Sequence, residues 1–116
     1  MDETKTLSEV CSVLEVSRRA VQGYENAGLV SATGKNKYGH LLYDEEAQWR
    51  IKQIRLLQQL GFRVKEIKDI IDAPAEVAAE AIKRQICKCQ LELAQKKEII
   101  RGAEVLIAEL SKNNSP

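Results

Sequence analysis

Apolar residues return at helical spacing almost from the start of the chain. Leu7, Val10, Val13 and Leu14 form one stripe, and Thr6 followed by Glu9 supplies a capping box that opens a helix over Leu7 to Leu14. A break follows at Glu15-Val16. Ser17 is placed to cap a second helix from Arg18 to about Asn26, and Gly28 ends it. Its inward positions are Ala20, Val21 and Tyr24, which leaves Arg18, Arg19, Gln22 and Glu25 outside. Two short helices joined by a tight turn read as a helix-turn-helix.

The pattern then loses its helical period. Ser31, Thr33, Gly34, Asn36 and Gly39 carry turn chemistry between two short strand-forming pieces, Leu29-Val30 and Leu41-Leu42-Tyr43. The expected element is a small hairpin, or wing, with Lys35 and Lys37 at its tip and Tyr38 and His40 beside them. Asp44 caps the next helix, with Glu45 and Glu46 in its first turn at the positive end of the helix dipole. Ala47, Ile51, Ile54, Leu57 and Leu60 make its inner face, Gly61 stops it, and Trp49 is expected at the edge of that face. A shorter helix from Val64 to Ile71 turns Val64, Ile67, Ile70 and Ile71 inward. Asp72-Ala73-Pro74 is the clearest boundary, because a residue before proline is pushed out of helical geometry.

From Ala75 to Leu110 there is no proline and the only glycine is Gly102. One helix of about 36 residues, roughly 54 Å long, is expected. Ile86, Leu93, Ile100 and Ile107 occupy one core position of a heptad, and Ile82, Cys89, Lys96, Ala103 and Leu110 the other. So long a seam exceeds what a domain of some 70 residues covers by itself. A coiled-coil homodimer is the reading this supports, with a fold-back of the helix onto its own domain as the alternative. The expected organisation is a winged helix-turn-helix domain over residues 1–72, a dimerisation helix over 75–111 and a flexible tail over 112–116.

Composition sharpens this. Of 116 residues 30% are charged and only 4% aromatic, which favours an all-α chain with a small β-hairpin over a β-sandwich. The net charge is only +1, yet between Val16 and Lys68 ten basic residues face five acidic ones, so that segment carries +5. No run approaches the length of a membrane span and the N-terminus is acidic, so a cytoplasmic protein without membrane contact is expected. Three cysteines are an odd number, consistent with a reducing compartment. Cys87 and Cys89 lie about 200° apart on a helix, so their sulfurs diverge. Structural roles are expected for them and for Cys11, ahead of redox sensing or metal binding. No metal or other cofactor is expected. No nucleophile–base set, glycine-rich phosphate loop or carboxylate pair supports an enzyme.

In this order, the elements and certain residues resemble the MerR (mercury-resistance-regulator) family of bacterial transcription factors. The residues are Val16-Ser17, Arg19, Tyr24-Glu25, Gly28-Leu29, Gly39, Tyr43-Asp44-Glu45-Glu46, Leu60-Gly61-Phe62 and Glu66-Ile67, within a stretch from about residue 4 to residue 72. The resemblance implies a winged helix-turn-helix whose second helix enters the major groove while the wing grips the flanking backbone. It implies an antiparallel pairing of the long helices, and a dimer that distorts a palindromic promoter so that RNA polymerase engages both promoter elements.

Carried onto this chain, Ser17, Arg18, Arg19 and Gln22 become candidates for base and phosphate contacts, Lys35 and Lys37 for phosphate contacts, and Arg63 and Lys65 for the second wing. Tyr38 and His40 join the first wing, and Tyr24 is open between a phosphate contact and a core ring. The chain departs from the family at Gln22 and Gly23, where an arginine and a tyrosine are usual, at His40 and Leu41, where a tyrosine and an arginine are usual, and at Glu15, which replaces a turn glycine. DNA binding weaker or differently directed than in a typical member is expected. The competing reading is a family-like scaffold that has lost DNA reading and serves as a protein adaptor or antirepressor. The end of the chain soon after its coil also fits a longer protein whose effector domain is missing here.

Overall fold

The structure, a computed structural model, describes residues 3–113. Its elements are β1 (Lys5–Thr6), α1 (Leu7–Leu14), α2 (Arg18–Asn26), β2 (Gly34–Lys35), β3 (Leu41–Tyr43), α3 (Glu45–Leu60), α4 (Val64–Asp72) and α5 (Ala75–Asn113). Two compact units divide between Ala78 and Ala79, inside α5.

In the first unit the caps form where the sequence places them. Thr6 Oγ1 accepts from the Glu9 amide while Glu9 returns a carboxylate to the Thr6 amide, satisfying two amides that helix geometry leaves without partners. These bonds hold the Glu9 carboxyl below its ordinary value. Ser17 Oγ accepts from the Ala20 amide at 3.0 Å and Asp44 Oδ1 from the Ala47 amide at 2.8 Å. The α2 end is a Schellman turn: Gly28 at φ +77° lets its own amide reach the Glu25 carbonyl and the Leu29 amide reach that of Tyr24.

That turn corrects the expected first wing strand. Leu29 is buried, yet not as a strand residue, because it packs as the apolar residue that closes the turn. The wing strand begins later, at Gly34–Lys35, and pairs antiparallel with β3, setting Gly34 opposite Leu42 and Lys35 opposite Leu41. A third strand, which the pattern gave no sign of, is β1. It pairs with β3 on the other side, so the sheet order is β1-β3-β2.

Val10, Val16, Val21, Tyr24, Leu29, Tyr43, Ala47, Ile51, Ile54, Leu57 and Ile67 form the core. Inward assignments on α1 and α4 are corrected. Val13 is 61% exposed, one step around its helix from the buried stripe, and Trp49, expected at the edge of the α3 face, is 58% exposed. Of the four inward positions on α4 only Ile67 is fully buried, and Val64, Ile70 and Ile71 are half-covered.

In the second unit α5 continues through Ser111, Lys112 and Asn113, so the part of the expected tail that is described is helical. Residues 114–116 of that tail lie outside the described residues. At 39 residues the helix is about 58 Å long. No described residue of it is buried, and Leu93, Ile100, Ile107 and Leu110 are all more than half exposed.

Candidate nucleic-acid interface

The outer face of α2 starts at its cap. Ser17, Arg18, Arg19 and Gln22 are all exposed, while Val21 and Tyr24 point the other way into the core. Arg18 leans back on α1, where its Nη2 donates to Ser8 Oγ at 2.5 Å, and Arg19 and Gln22 stand about 60° apart around the axis. Gly23, where the family pattern has a tyrosine, leaves open space beside them.

Glu25 was expected on this outer face and is corrected. It is half-buried, because the Tyr43 hydroxyl donates to its carboxylate. Burial, and then this bond to a carboxylate, raise the Tyr43 hydroxyl well above its ordinary range. The pair ties α2 to the root of the wing. Sequence reasoning missed this role, although a tyrosine ending an apolar strand and an acid one turn from Val21 were its available signals.

Tyr24, open between a core ring and a phosphate contact, has its ring 1% exposed, and its hydroxyl donates to Gln58 Oε1 at 2.5 Å. Burial pushes this hydroxyl up from its ordinary value. Arg50 likewise leaves the pool of free basic groups, since its Nε donates to the Leu29 carbonyl at 2.9 Å.

Asn36 organises the wing tip. Its Oδ1 accepts from the amides of Tyr38 and His40 at 2.9 and 3.0 Å, an Asx-type turn completed by Gly39 at φ +82°. Lys35 on β2 and Lys37 in the turn are exposed, as are Tyr38 and His40. The Lys37 amine lies 5.2 Å from the Tyr38 ring centre, and the Tyr38 and His40 rings are 6.3 Å apart. The structure brings wing and helix together at one open hollow of about 450 Å³ lined by Thr6, Leu7, Ser8, Arg18, Gly39, His40 and Leu41. Arg18, His40 and the Ser8 hydroxyl there offer donors suited to an anion.

Arg63 and Lys65 open α4 and are exposed. Arg63 stands 3.8 Å from Glu66, a solvated pair that leaves it able to turn to another anion.

Among the described residues no group of three His, Cys, Asp or Glu could hold a metal ion, and none of the three cysteines is in a disulfide. Cys11 and Cys89 are half-buried and Cys87 is exposed. No helix is long and apolar enough to cross a membrane.

Residues 5–74 match the sequence pattern of the family described as MerR HTH family regulatory protein. The chain belongs to this family. Among curated relatives, nodulation protein NolA of Bradyrhizobium elkanii is 27% identical over 108 residues, covering 88% of this chain and 49% of that protein. The HTH-type transcriptional activator mta of Bacillus subtilis is 31% identical over 68 residues, 59% of this chain and 26% of its own length. The chain thus spans half or less of these relatives.

Solved structures share the fold. A MerR family transcriptional regulator from Bacillus cereus aligns with a TM-score of 0.74 at 24% identity, over 97% of this chain and 87% of that one. HiNmlR, described as a MerR family regulator lacking the sensor domain and bound to promoter DNA, aligns at 0.72 and 19% identity, over 84% of this chain and 79% of that one. The MerR-type winged helix-turn-helix followed by a long helix is therefore the architecture of this chain, and its N-terminal part is a regulator's DNA-binding domain.

Proposed function

We propose that the chain is a homodimeric, sequence-specific transcriptional regulator that binds a palindromic promoter site and distorts it. The observation that carries its DNA-reading part is an exposed α2 surface bearing Arg18, Arg19 and Gln22 and an exposed lysine-tipped hairpin, with Arg18 and His40 lining one hollow. Ser17, Arg19 and Gln22 reach base edges and nearby phosphates in the major groove, while Arg18, Lys35, Lys37, Tyr38 and His40 hold the flanking backbone. Arg63 and Lys65 meet phosphates farther out. With Tyr24 in the core and no wing arginine, the contact set is smaller than the family pattern implies.

Two copies joined through α5 present two α2 helices to successive major grooves, and their separation sets the spacing of the half-sites. Bending and untwisting the DNA between them carries the energetic cost that makes the intervening sequence matter, and brings the promoter elements into reach of RNA polymerase. The DNA-binding domain takes residues 1–72 and the dimerisation helix residues 75–111. No cofactor, metal or catalytic step enters.

Selection of bound sequences from a random duplex library, at two salt concentrations, tests this reading. The expected outcome is an enriched palindrome whose binding falls steeply with salt as phosphate contacts release counterions. No consensus, with weak binding at both salts, overturns it in favour of the adaptor reading, since protein pairing through apolar seams lacks that salt dependence.

A further inference from the structure

The exposed seam of α5 carries more information than the fact of dimerisation. Its seam positions run Ala79, Ile82, Ile86, Cys89, Leu93, Lys96, Ile100, Ala103, Ile107 and Leu110, alternating steps of three and four, with Lys96 the one charged residue among them. When the partner helix runs in the opposite direction, its steps match only if each residue of one heptad position faces one of the other. That leaves a ladder of registers one heptad apart, and charge distinguishes them.

We propose that the antiparallel α5 pair which the family resemblance implies takes the one register that sets Lys83 of each copy beside Glu104 of the other. The proposal rests on the dimer reading above and adds its alignment. In this register Ile82 faces Ile107, Ile86 faces Ala103, Cys89 faces Ile100 and Leu93 faces Lys96, while Ala79 faces Leu110. Each alanine of the seam meets a large residue, as close packing requires. Every seam position from Ala79 to Leu110 finds a partner within the helix, which runs Ala75–Asn113. Flanking the seam, Lys83 meets Glu104 twice by symmetry, and Gln90 meets Lys97.

Neighbouring registers fare worse. Sliding one heptad towards the C-terminus brings Lys97 against its own copy. Sliding the other way sets Lys83 against Lys97 and Glu92 against its own copy, and takes Leu110 opposite Asp72, before α5 begins. A parallel, in-register pair puts Lys96 across from Lys96 in a core layer. In the proposed register each Lys96 stem lies along Leu93 of the other copy and its amine leaves for water. One polar residue near the middle of a seam is a known way to fix alignment at some cost in stability. Lys83 already stands 3.7 Å from Glu80 of its own helix, with both side chains mostly exposed, which leaves its amine free to bridge to a second carboxylate.

Two experiments read the register independently. In the native chain, Lys83→Glu and Glu104→Lys should each raise the dimer dissociation constant about fivefold, as two exposed pairs turn from attraction to repulsion, and the double swap should restore it to within about twofold. In a chain carrying Cys11→Ser, Cys87→Ser and Cys89→Ser, adding Lys83→Cys with Glu104→Cys should give a covalent dimer on air oxidation. Lys97→Cys, Gln90→Cys or Ile100→Cys alone should not. A covalent dimer from Lys97→Cys or Gln90→Cys alone identifies a shifted register, and one from Ile100→Cys alone a parallel pair. Each of these outcomes, or an absence of rescue in the double swap, overturns the proposal while the dimer itself stands. Sedimentation showing a monomer at every concentration instead removes the dimer reading, and the register with it.

Discussion

Glu15 ends α1 at φ 53° and ψ 48°, a left-handed backbone that residues with a Cβ adopt at a cost of about 1 kcal/mol or more. The family pattern has glycine here, and the structure shows why: the left-handed turn at Glu15 swings the Val16 amide back onto the Cys11 carbonyl at 3.1 Å as Val16 enters the core. Glu15→Gly should therefore stabilise the protein by up to about 1 kcal/mol, read as a rise in the urea midpoint at constant slope. An unchanged or lower midpoint would show that the flexibility glycine adds to the unfolded chain cancels the relief. At Tyr24 the two readings separate by a different pair of measurements. Tyr24→Phe removes only the hydroxyl bond to Gln58 and should cost about 1 kcal/mol of stability with DNA affinity unchanged. Loss of affinity with stability intact would restore the phosphate contact. Arg19 is the opposite case, since it has no structural burden comparable to that of Arg18. Arg19→Ala should lower operator affinity by about 1–3 kcal/mol without moving the urea midpoint.

Among the elements, α1 and the wing show what the sequence disclosed and what it withheld. The capping box of α1 was legible because it is local: two side chains three residues apart satisfy two backbone amides whatever surrounds them. Its carboxylate carries a pH dependence whose sign follows from the lowered Glu9 value. The folded state binds this proton less readily than the unfolded chain, so the contribution is present above the ordinary carboxylate range and is lost as the pH falls through the lowered value. Urea midpoints measured from pH 7 down to pH 3 should decline less steeply in Glu9→Gln than in the parent; parallel curves would show that the box is not formed in solution. The wing was legible at its tip and wrong at its base. Gly39 and Asn36 specify a turn by their own chemistry, whereas Leu29 and Val30 looked like strand residues only because they are apolar and β-capable. The Schellman turn at Gly28 claims Leu29 first, and pairing then starts five residues later. Strand β1 was invisible because two residues, Lys5 and Thr6, carry no period, and because its partner β3 lies far along the chain. Trp49 was legible as an edge residue from its position one step of 100° off the stripe, and the structure leaves it 58% exposed beside Lys52.

At the scale of the whole molecule, the two units rest on different physics. The first closes its own core around Tyr24, Tyr43, Ile51, Ile54 and Ile67, each 1% exposed or less. The second is a single helix with no buried residue among those described, although Leu93, Ile100, Ile107 and Leu110 lie on one stripe. An isolated helix draws little stability from propensity alone and most of it from packing an apolar face. Dimerisation and the order of α5 are therefore expected to be one equilibrium, and the core of the first unit should fold independently of it. Ile100→Asp separates the two: it sets a charge in a central layer of the seam, where desolvation without a partner costs several kcal/mol. Sedimentation should show a monomer at concentrations where the parent is dimeric, with helical content reduced, while urea unfolding of the first unit, followed by the near-ultraviolet signal of Tyr24 and Tyr43, is unchanged. Because two half-sites would then be bound by unlinked domains, affinity for a palindrome should fall towards that for a single half-site, by 100-fold or more if the linkage supplies the effective concentration typical of tethered modules, about millimolar. A variant that remains dimeric would refute the seam assignment, and a monomer that keeps full affinity for the palindrome would mean that α5 contributes nothing to reading DNA.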